Sequence, residues 1–137
     1  MARRRVVLFN AQPHSVADSW LVRDYLHGFM GLVPDGYSLE QTLERLGGGR
    51  IEPVPIPHDC RDGFMHAYWR RPHAYLDPRI RAAISVFGVL PRAEVDEMVE
   101  RLRADLDSGE WERRNGALLE LDELDLGYRL LVAELAT

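Results

Sequence analysis

An uninterrupted apolar run, residues 6–9, opens the chain just after its first arginines. A run without apolar–polar alternation predicts a strand that is buried on both faces, as in parallel α/β sheets. Two more strands are predicted at residues 51–56 and 126–135. Because Pro53 and Pro55 cannot donate hydrogen bonds to a neighbouring strand, the second strand is predicted to lie at a sheet edge.

Apolar residues at three- and four-residue steps predict helices between these strands. Asp18 or Ser19 is expected to cap the first helix, Ser38 the second and Asp62 a short third one. The predicted helices cover residues 19–30, 39–46, 62–71, 78–87 and 91–108.

The pattern therefore predicts one α/β domain over residues 1–137, with an incomplete sheet of about three strands. Three strands cannot cover the run at residues 6–9 from all sides. Either another copy or another protein completes the sheet, or the fold is a rearranged small α/β unit. If an assembly completes it, Val7 and Leu8 are buried in that assembly.

Composition narrows the class of protein. The net charge of -5 argues against a general nucleic-acid binder, which would usually be basic. The single cysteine, Cys60, excludes an intrachain disulfide and fits a reducing cytoplasm. Since the apolar run at residues 6–9 is far too short to span a bilayer, no membrane association is expected. We therefore expect a cytoplasmic protein.

Glycines and metal ligands give no evidence of a cofactor site. Residues 47–49 are all glycine, but they follow a helix and precede a strand, which is the reverse of a nucleotide-binding loop. They are interpreted as a helix end. No metal site is expected, because His58, Asp59 and Cys60 are adjacent, and consecutive side chains seldom converge on one ion.

Reactive and aromatic side chains are densest between residues 58 and 75. Histidine and aspartate serve as acids or bases, and aromatic rings can wall a pocket for a flat substrate. The alternative is structural: Asp62 caps a helix, the aromatic rings form core and the arginines face solvent. The candidate substrate-binding residues are His58, Asp59, Asp62, His66, Tyr68, Trp69, Arg70 and Tyr75.

Four segments in the same order carry a family resemblance, at residues 20–26, 58–87, 102–111 and 125–130. They resemble the C-terminal half of bacterial class I S-adenosylmethionine (SAM) methyltransferases of the ubiquinone-biosynthesis-like kind. The resemblance implies an incomplete Rossmann-like methyltransferase sheet. It makes the first strand the fifth of seven, the strand at residue 51 the sixth, and the last strand the antiparallel seventh. The helices within residues 62–107 resemble an α-helical substrate-side insertion.

The same resemblance shows a departure that bears on function. The glycine-rich SAM loop, the acidic residue that holds the ribose and the first four strands have no counterpart here. We therefore expect that the chain alone binds no cofactor and that SAM is bound through a partner chain. Catalytic residues stay unassigned, and the eight candidate residues are carried over only as substrate-side lining for a small molecule, planar or phenolic.

Two hypotheses follow from the resemblance. In the first, the chain is the substrate-side subunit of a split SAM-dependent methyltransferase, active only with an N-terminal SAM-binding partner. In the second, it is a non-catalytic homodimeric binding or regulatory module, or a small cyclase-like protein of a natural-product pathway, and its partner is a second copy.

Overall fold

The computed structural model describes residues 4–135. Its main sheet has three strands, β1 (Arg4–Ala11), β2 (Arg50–Pro53) and β5 (Tyr128–Leu135), in the order β1-β5-β2. Because β5 pairs antiparallel with both neighbours, β1 and β2 run parallel to each other. The fold is thus mixed α/β, as predicted, and β2 lies at an edge as Pro53 and Pro55 indicated.

One face of this sheet is covered by helix α3 (Leu39–Arg45). Leu39 and Leu43 pack against Leu131 and Ala133 of β5. Side chains alternate along a strand, so Val7 and Phe9, which share a face with Val132 and Leu130, lie on the opposite side. We call that side the open face.

In the single chain, β1 is more exposed than the sequence pattern predicts. Val7 and Phe9 are 52% and 54% exposed, and even Leu8, on the α3 side, is 37% exposed. The physical reason is that β1 pairs only with β5, among residues 4–135, and that α3 packs on one face. The prediction of burial on both faces is wrong for this chain alone. Burial in an assembly stays a prediction.

The second predicted strand ends early. After β2, the Val54 amide donates to Tyr128 O at 2.9 Å, and Pro53 and Pro55 on either side have no amide hydrogen to extend the pairing. The chain then forms β3 (Ile56–Pro57), which pairs with β4 (Glu123–Leu124) in a separate antiparallel sheet.

Two predicted helices are confirmed, each with its boundaries within one residue of the prediction. Ser38 caps α3, its side chain accepting a hydrogen bond from the Gln41 amide. The longest helix, α6 (Arg92–Ser108), follows Pro91 and ends at Gly109, which has the left-handed backbone that favours glycine. Its buried residues, Val95, Met98, Val99 and Leu102, follow the three- and four-residue steps that predicted the helix, and Leu106 on the same face is half-buried.

The predicted helix at residues 19–30 is interrupted. Ser19, one of the two predicted caps, does cap a helix, α2 (Trp20–Asp24). This helix is short, and a 3-10 helix (His27–Leu32) follows it. At the second residue of this 3-10 helix, the Gly28 amide donates to the Glu94 carboxylate at 2.8 Å, so this amide bonds α6 and not a carbonyl of its own helix. A further helix, α1 (Pro13–Ala17), precedes α2.

No helix forms at residues 62–71, and Asp62 caps none. This segment consists of turns, followed by a 3-10 helix (Pro72–Leu76). The predicted helix at residues 78–87 divides into α4 (Pro78–Ala82) and α5 (Val86–Val89). Between these two, the amides of Ala83 and Ile84 bond carbonyls three residues back, which tightens the helix and ends it.

Helices α2 and α6 pack with α7 (Glu110–Asn115) around the largest core cluster, and a 3-10 helix (Gly116–Glu120) leads from α7 to β4. The Trp20 indole N–H donates to Trp69 O at 2.9 Å, which joins this cluster to a smaller one formed by Ile56, Trp69 and Leu126. Within residues 4–135, no helix is long and apolar enough to cross a membrane.

Gly49 is where the turn after α3 enters β2. Its φ is +150°, and a Cβ added there would lie 2.0 Å from the Val132 carbonyl oxygen. We expect Gly49→Ala to lower the free energy of unfolding by about 2 kcal/mol or more, because both the backbone and the sheet would be strained. Gly31→Ala is the control, since nothing lies within 4 Å of that position. Equal urea midpoints for the two variants would contradict this expectation.

Candidate functional site

Aromatic rings gather at the carboxyl end of β1. Phe9 stacks on Tyr128 with ring centroids 5.5 Å apart and planes 12° from parallel. Phe64 meets the Tyr128 ring edge-on at 5.2 Å, and His66 does so at 5.7 Å. We call these four residues the aromatic cluster. Phe9 is its exposed wall, and His66 is its buried one.

Three polar side chains form a hydrogen-bonded chain behind this cluster. His66 Nε2 lies 2.9 Å from Ser19 Oγ, and His66 Nδ1 lies 2.9 Å from the Tyr128 hydroxyl. Ser19 donates its only hydroxyl hydrogen to Val16 O at 2.7 Å, so it must accept from His66. Nε2 therefore carries the imidazole hydrogen, and Nδ1 accepts from Tyr128.

Burial sets the protonation of this chain. It lowers the pKa of His66 from 6.5 to about 4, because the charged imidazolium would lose its hydration. Burial also raises the pKa of the Tyr128 hydroxyl, and the backbone amide of His66, which favours the charged oxygen, opposes that rise. Both groups are neutral near pH 7, so Tyr128 is held as a neutral hydroxyl whose hydrogen points at His66.

Two cavities adjoin this region. One of 210 Å³ lies at the carboxyl end of β1, and its lining includes Asn10, Pro13, Val16 and Phe29. Asn10 Nδ2 donates to the Tyr37 hydroxyl across it. The other, of 340 Å³, lies on the Ser19 side, and its lining includes Asp18, Arg23, Arg114 and Asp125. The end of β1 is thus the part of the fold where apolar walls and fixed polar groups lie together.

Besides His66, two of the predicted site residues, Trp69 and Tyr75, are fully buried. The Trp69 indole N–H donates to Ile56 O at 3.1 Å, and the ring packs with Ile56 and Leu126. The Tyr75 hydroxyl donates to Met65 O at 2.6 Å. Both side chains therefore hold loops together from inside.

The other predicted residues are dispersed. Tyr68 is half-buried, and its ring meets Tyr75 edge-on at 5.6 Å. The Arg70 guanidinium donates to Leu121 O at 3.1 Å. Asp59 and Asp62 are exposed, His58 is half-buried, and only His66 lies in the aromatic cluster. Within residues 4–135, no three His, Cys, Asp or Glu side chains are arranged to hold a metal ion.

Sequence reasoning missed Tyr128, Phe9, Phe64 and Ser19 as site residues. The apolar pattern places Tyr128 only in a strand, although Tyr128 follows Gly127, whose φ of +92° marks a turn. A Cβ on Gly127 would lie 2.6 Å from the Ser15 side chain, so the glycine lets the start of β5 approach α1. The sequence signal that could have indicated Tyr128 as a site residue is a glycine directly before a tyrosine at the start of a strand.

The chain is similar to a crystal structure, at 2.40 Å resolution, of a protein from Anabaena variabilis ATCC 29413 assigned as a methyltransferase from an antibiotic biosynthesis pathway. The two share 32% sequence identity, with a TM-score of 0.86. The match covers 96% of this chain and 55% of the other, so this chain spans about half the length of that protein. No family model and no curated protein matches the chain. The chain is thus a methyltransferase-like protein.

Trp69 and Phe9 offer a matched test of core against surface. Trp69 is 1% exposed and Phe9 is 54% exposed. We expect Trp69→Ala to cost about 3–5 kcal/mol of unfolding free energy, as large aromatic truncations in cores do. Phe9→Ala should cost about 1 kcal/mol, since only its stacking on Tyr128 is lost. Urea unfolding measures both, and comparable losses would contradict the assignment of Trp69 to the core.

His66 predicts a pH dependence of stability. Its pKa is about 4 in the folded chain against 6.5 ordinarily, so unfolding takes up a proton between these values. Stability is therefore fully present above pH 6.5 and falls as the pH drops towards 4, by roughly 3 kcal/mol from this group.

His66→Gln should lower the melting temperature at pH 7 but flatten its decline between pH 6.5 and 4, because the titrating group is gone. His73→Gln, which changes an exposed histidine, is the control and should leave the slope unchanged. Melting curves across that pH range test this. An unchanged slope for His66→Gln would show that His66 is not held neutral by burial.

Proposed function

We propose that this methyltransferase-like chain is the substrate-side subunit of a split SAM-dependent methyltransferase, and that a partner chain binds the methyl donor. The likeness to the Anabaena variabilis protein supports the reaction class. The order and direction of the strands support the proposal that this sheet corresponds to the last three strands of a methyltransferase sheet. The antiparallel β5 fits the seventh strand that the sequence resemblance assigned to it, and β2, at an edge, fits the sixth.

The aromatic cluster is the observation that carries this proposal. Ligands of open α/β sheets bind outside the carboxyl ends of the parallel strands, and β1 ends at Phe9, Asn10 and Ala11. Phe9 presents half of its ring there, stacked on Tyr128. This surface suits the face of a small planar or phenolic acceptor, because offset stacking adds to apolar burial.

The chain's own residues then act by binding and orientation. Phe9 and Phe64 provide apolar walls on either side of Tyr128. His66 fixes the Tyr128 hydroxyl by accepting its hydrogen, so the oxygen lone pairs stay available to an acceptor hydroxyl or amine. The methyl donor, SAM, would supply the electrophilic methyl group when bound by the partner.

Titration calorimetry with SAM tests whether the partner chain, and not this chain, binds the methyl donor. The isolated chain should give no binding heat at micromolar SAM. The chain purified with a co-expressed SAM-binding partner, sought first in neighbouring genes, should bind SAM and methylate phenolic acceptors detected by mass spectrometry. Micromolar SAM binding by the isolated chain would refute the proposal.

Tyr128→Phe in the same complex separates the acceptor site from the donor site. It should raise the KM for the acceptor and leave the Kd for SAM unchanged, because the Tyr128 hydroxyl belongs to the acceptor side. Tyr37→Phe, which removes a hydroxyl on the other face of β1, is the matched control. A loss of SAM affinity in Tyr128→Phe alone would place the cluster on the donor side instead.

A further inference from the structure

A third cavity lies apart from the site described above. It has a volume of 360 Å³, and its lining includes residues of the 3-10 helix at Pro72–Leu76, of α6 and of α7. The lining shares no residue with the aromatic cluster or with the two cavities beside it. Its volume is within the range of pockets that hold small molecules. We call it the arginine cavity, because Arg70 and Arg71 line it.

The charges of these two arginines are held in place but not neutralised. The Arg70 guanidinium donates to Leu121 O at 3.1 Å. The Arg71 guanidinium donates to two backbone carbonyls, at 3.0 and 3.1 Å, and lies over the Tyr68 ring, 4.8 Å from its centroid. Neither arginine forms an ion pair with another residue of the described range 4–135. Since a guanidinium has five N–H donors, each keeps some of them for an anion.

Apolar side chains form much of the remaining wall. They are Leu106 of α6, Trp111 of α7 and Leu119 of the 3-10 helix after α7. The Trp111 indole N–H is buried without an acceptor among residues 4–135, whereas those of Trp20 and Trp69 donate to backbone carbonyls. Native folds seldom leave a buried donor unpaired, and this one belongs to a residue that lines a cavity.

We propose that the arginine cavity binds a small molecule in which a carboxylate is attached to an apolar, aromatic body. The carboxylate accepts hydrogen bonds from the Arg70 and Arg71 guanidiniums, whose planar geometry matches its own. The aromatic body packs against Leu106, Trp111 and Leu119, where it is removed from water. This ligand is distinct from the methyl acceptor, and its site does not depend on the proposed function.

The balance of charge favours a carboxylate over a phosphate ester. Besides the two arginines, the lining contains the carboxylate of Glu112, so one positive charge is in excess when His73 is counted as neutral. A carboxylate supplies one negative charge, whereas a phosphate monoester carries about −1.5 to −2 near pH 7. The carboxylate therefore leaves the occupied cavity closer to neutral.

Nuclear magnetic resonance of the isolated chain tests this site with 2-naphthoate as the probe. We expect a Kd of about 1 mM or below, as suits a ligand of few atoms. The indole N–H signal of Trp111 should shift on binding, because the naphthalene ring packs against that side chain. The signal of Trp69, which lies in a different core cluster, should not shift. The neutral 2-naphthamide should bind at least about tenfold more weakly, since it has no charge to pair with the guanidiniums.

Arg70→Gln should weaken naphthoate binding by about tenfold or more and leave naphthamide binding nearly unchanged, because it removes a charge from the cavity. Arg45→Gln is the matched control: it makes the same change of charge on α3, outside the lining, and should have no effect. Ala74→Met extends a side chain of the lining and should weaken the binding of both compounds. It keeps both arginines, so it tests the site even if Arg70→Gln unfolds after losing the bond to Leu121 O.

Three results would overturn the site. These are no shift of the Trp111 signal at millimolar naphthoate, equal affinities for naphthoate and naphthamide, or a naphthoate affinity that folded Arg70→Gln and Ala74→Met both keep. Because these measurements use neither SAM nor a partner chain, the proposed function holds or fails independently of them.

Discussion

The hydrogen bonds from Ser19 through His66 to Tyr128 hold together three parts of the chain that are far apart in sequence. Ser19 caps α2, His66 belongs to the turns at residues 62–71, and Tyr128 begins the central strand β5. The turn segment has no helix or sheet of its own to fix it. Its position therefore depends on side-chain bonds to its neighbours, of which the imidazole makes two from a buried position. A buried polar group without these partners would cost about 1–3 kcal/mol, so the chain of bonds and the fold require each other.

Elements governed by local rules were predictable from sequence. Ser38 before α3, and Pro91 and Gly109 around α6, are cap signals whose physics acts within one turn of helix. The segments that departed are governed by distant contacts. The Glu94 carboxylate, on α6, accepts a hydrogen bond from the Gly28 amide. The Trp69 indole N–H donates to Ile56 O, and the segment around Trp69 is not helical. The spacing of apolar residues cannot reveal such bonds. It indicates the period of a helix, but it does not show which distant groups bond to the amides of that helix.

The candidate site shows the same division. Density of reactive side chains pointed to residues 58–75, yet most of their polar atoms bind backbone carbonyls or face solvent. The aromatic rings of that segment pack mostly in or against the core clusters. Tyr128 and Phe9 became visible only through register, since an antiparallel pairing of β1 with β5 sets Ala11 opposite Tyr128 and brings Phe9 to its side. Register depends on the whole sheet, and so neither strand alone carries the signal.

The free edge of β1 has a consequence for the life of this protein in a cell. Natural sheets protect exposed edges with proline, bulges or inward charges, and β1 has arginines only at its first two positions, Arg4 and Arg5. If a partner chain covers this edge, as the proposed function implies, copies of the chain that outnumber that partner would expose an unguarded apolar strand as soon as they are synthesised. Chaperones and proteases act on such surfaces, so the amount of this chain that survives should follow the supply of its partner. Balanced synthesis of the two chains would then be a requirement of the fold itself, independent of any need to balance their activities.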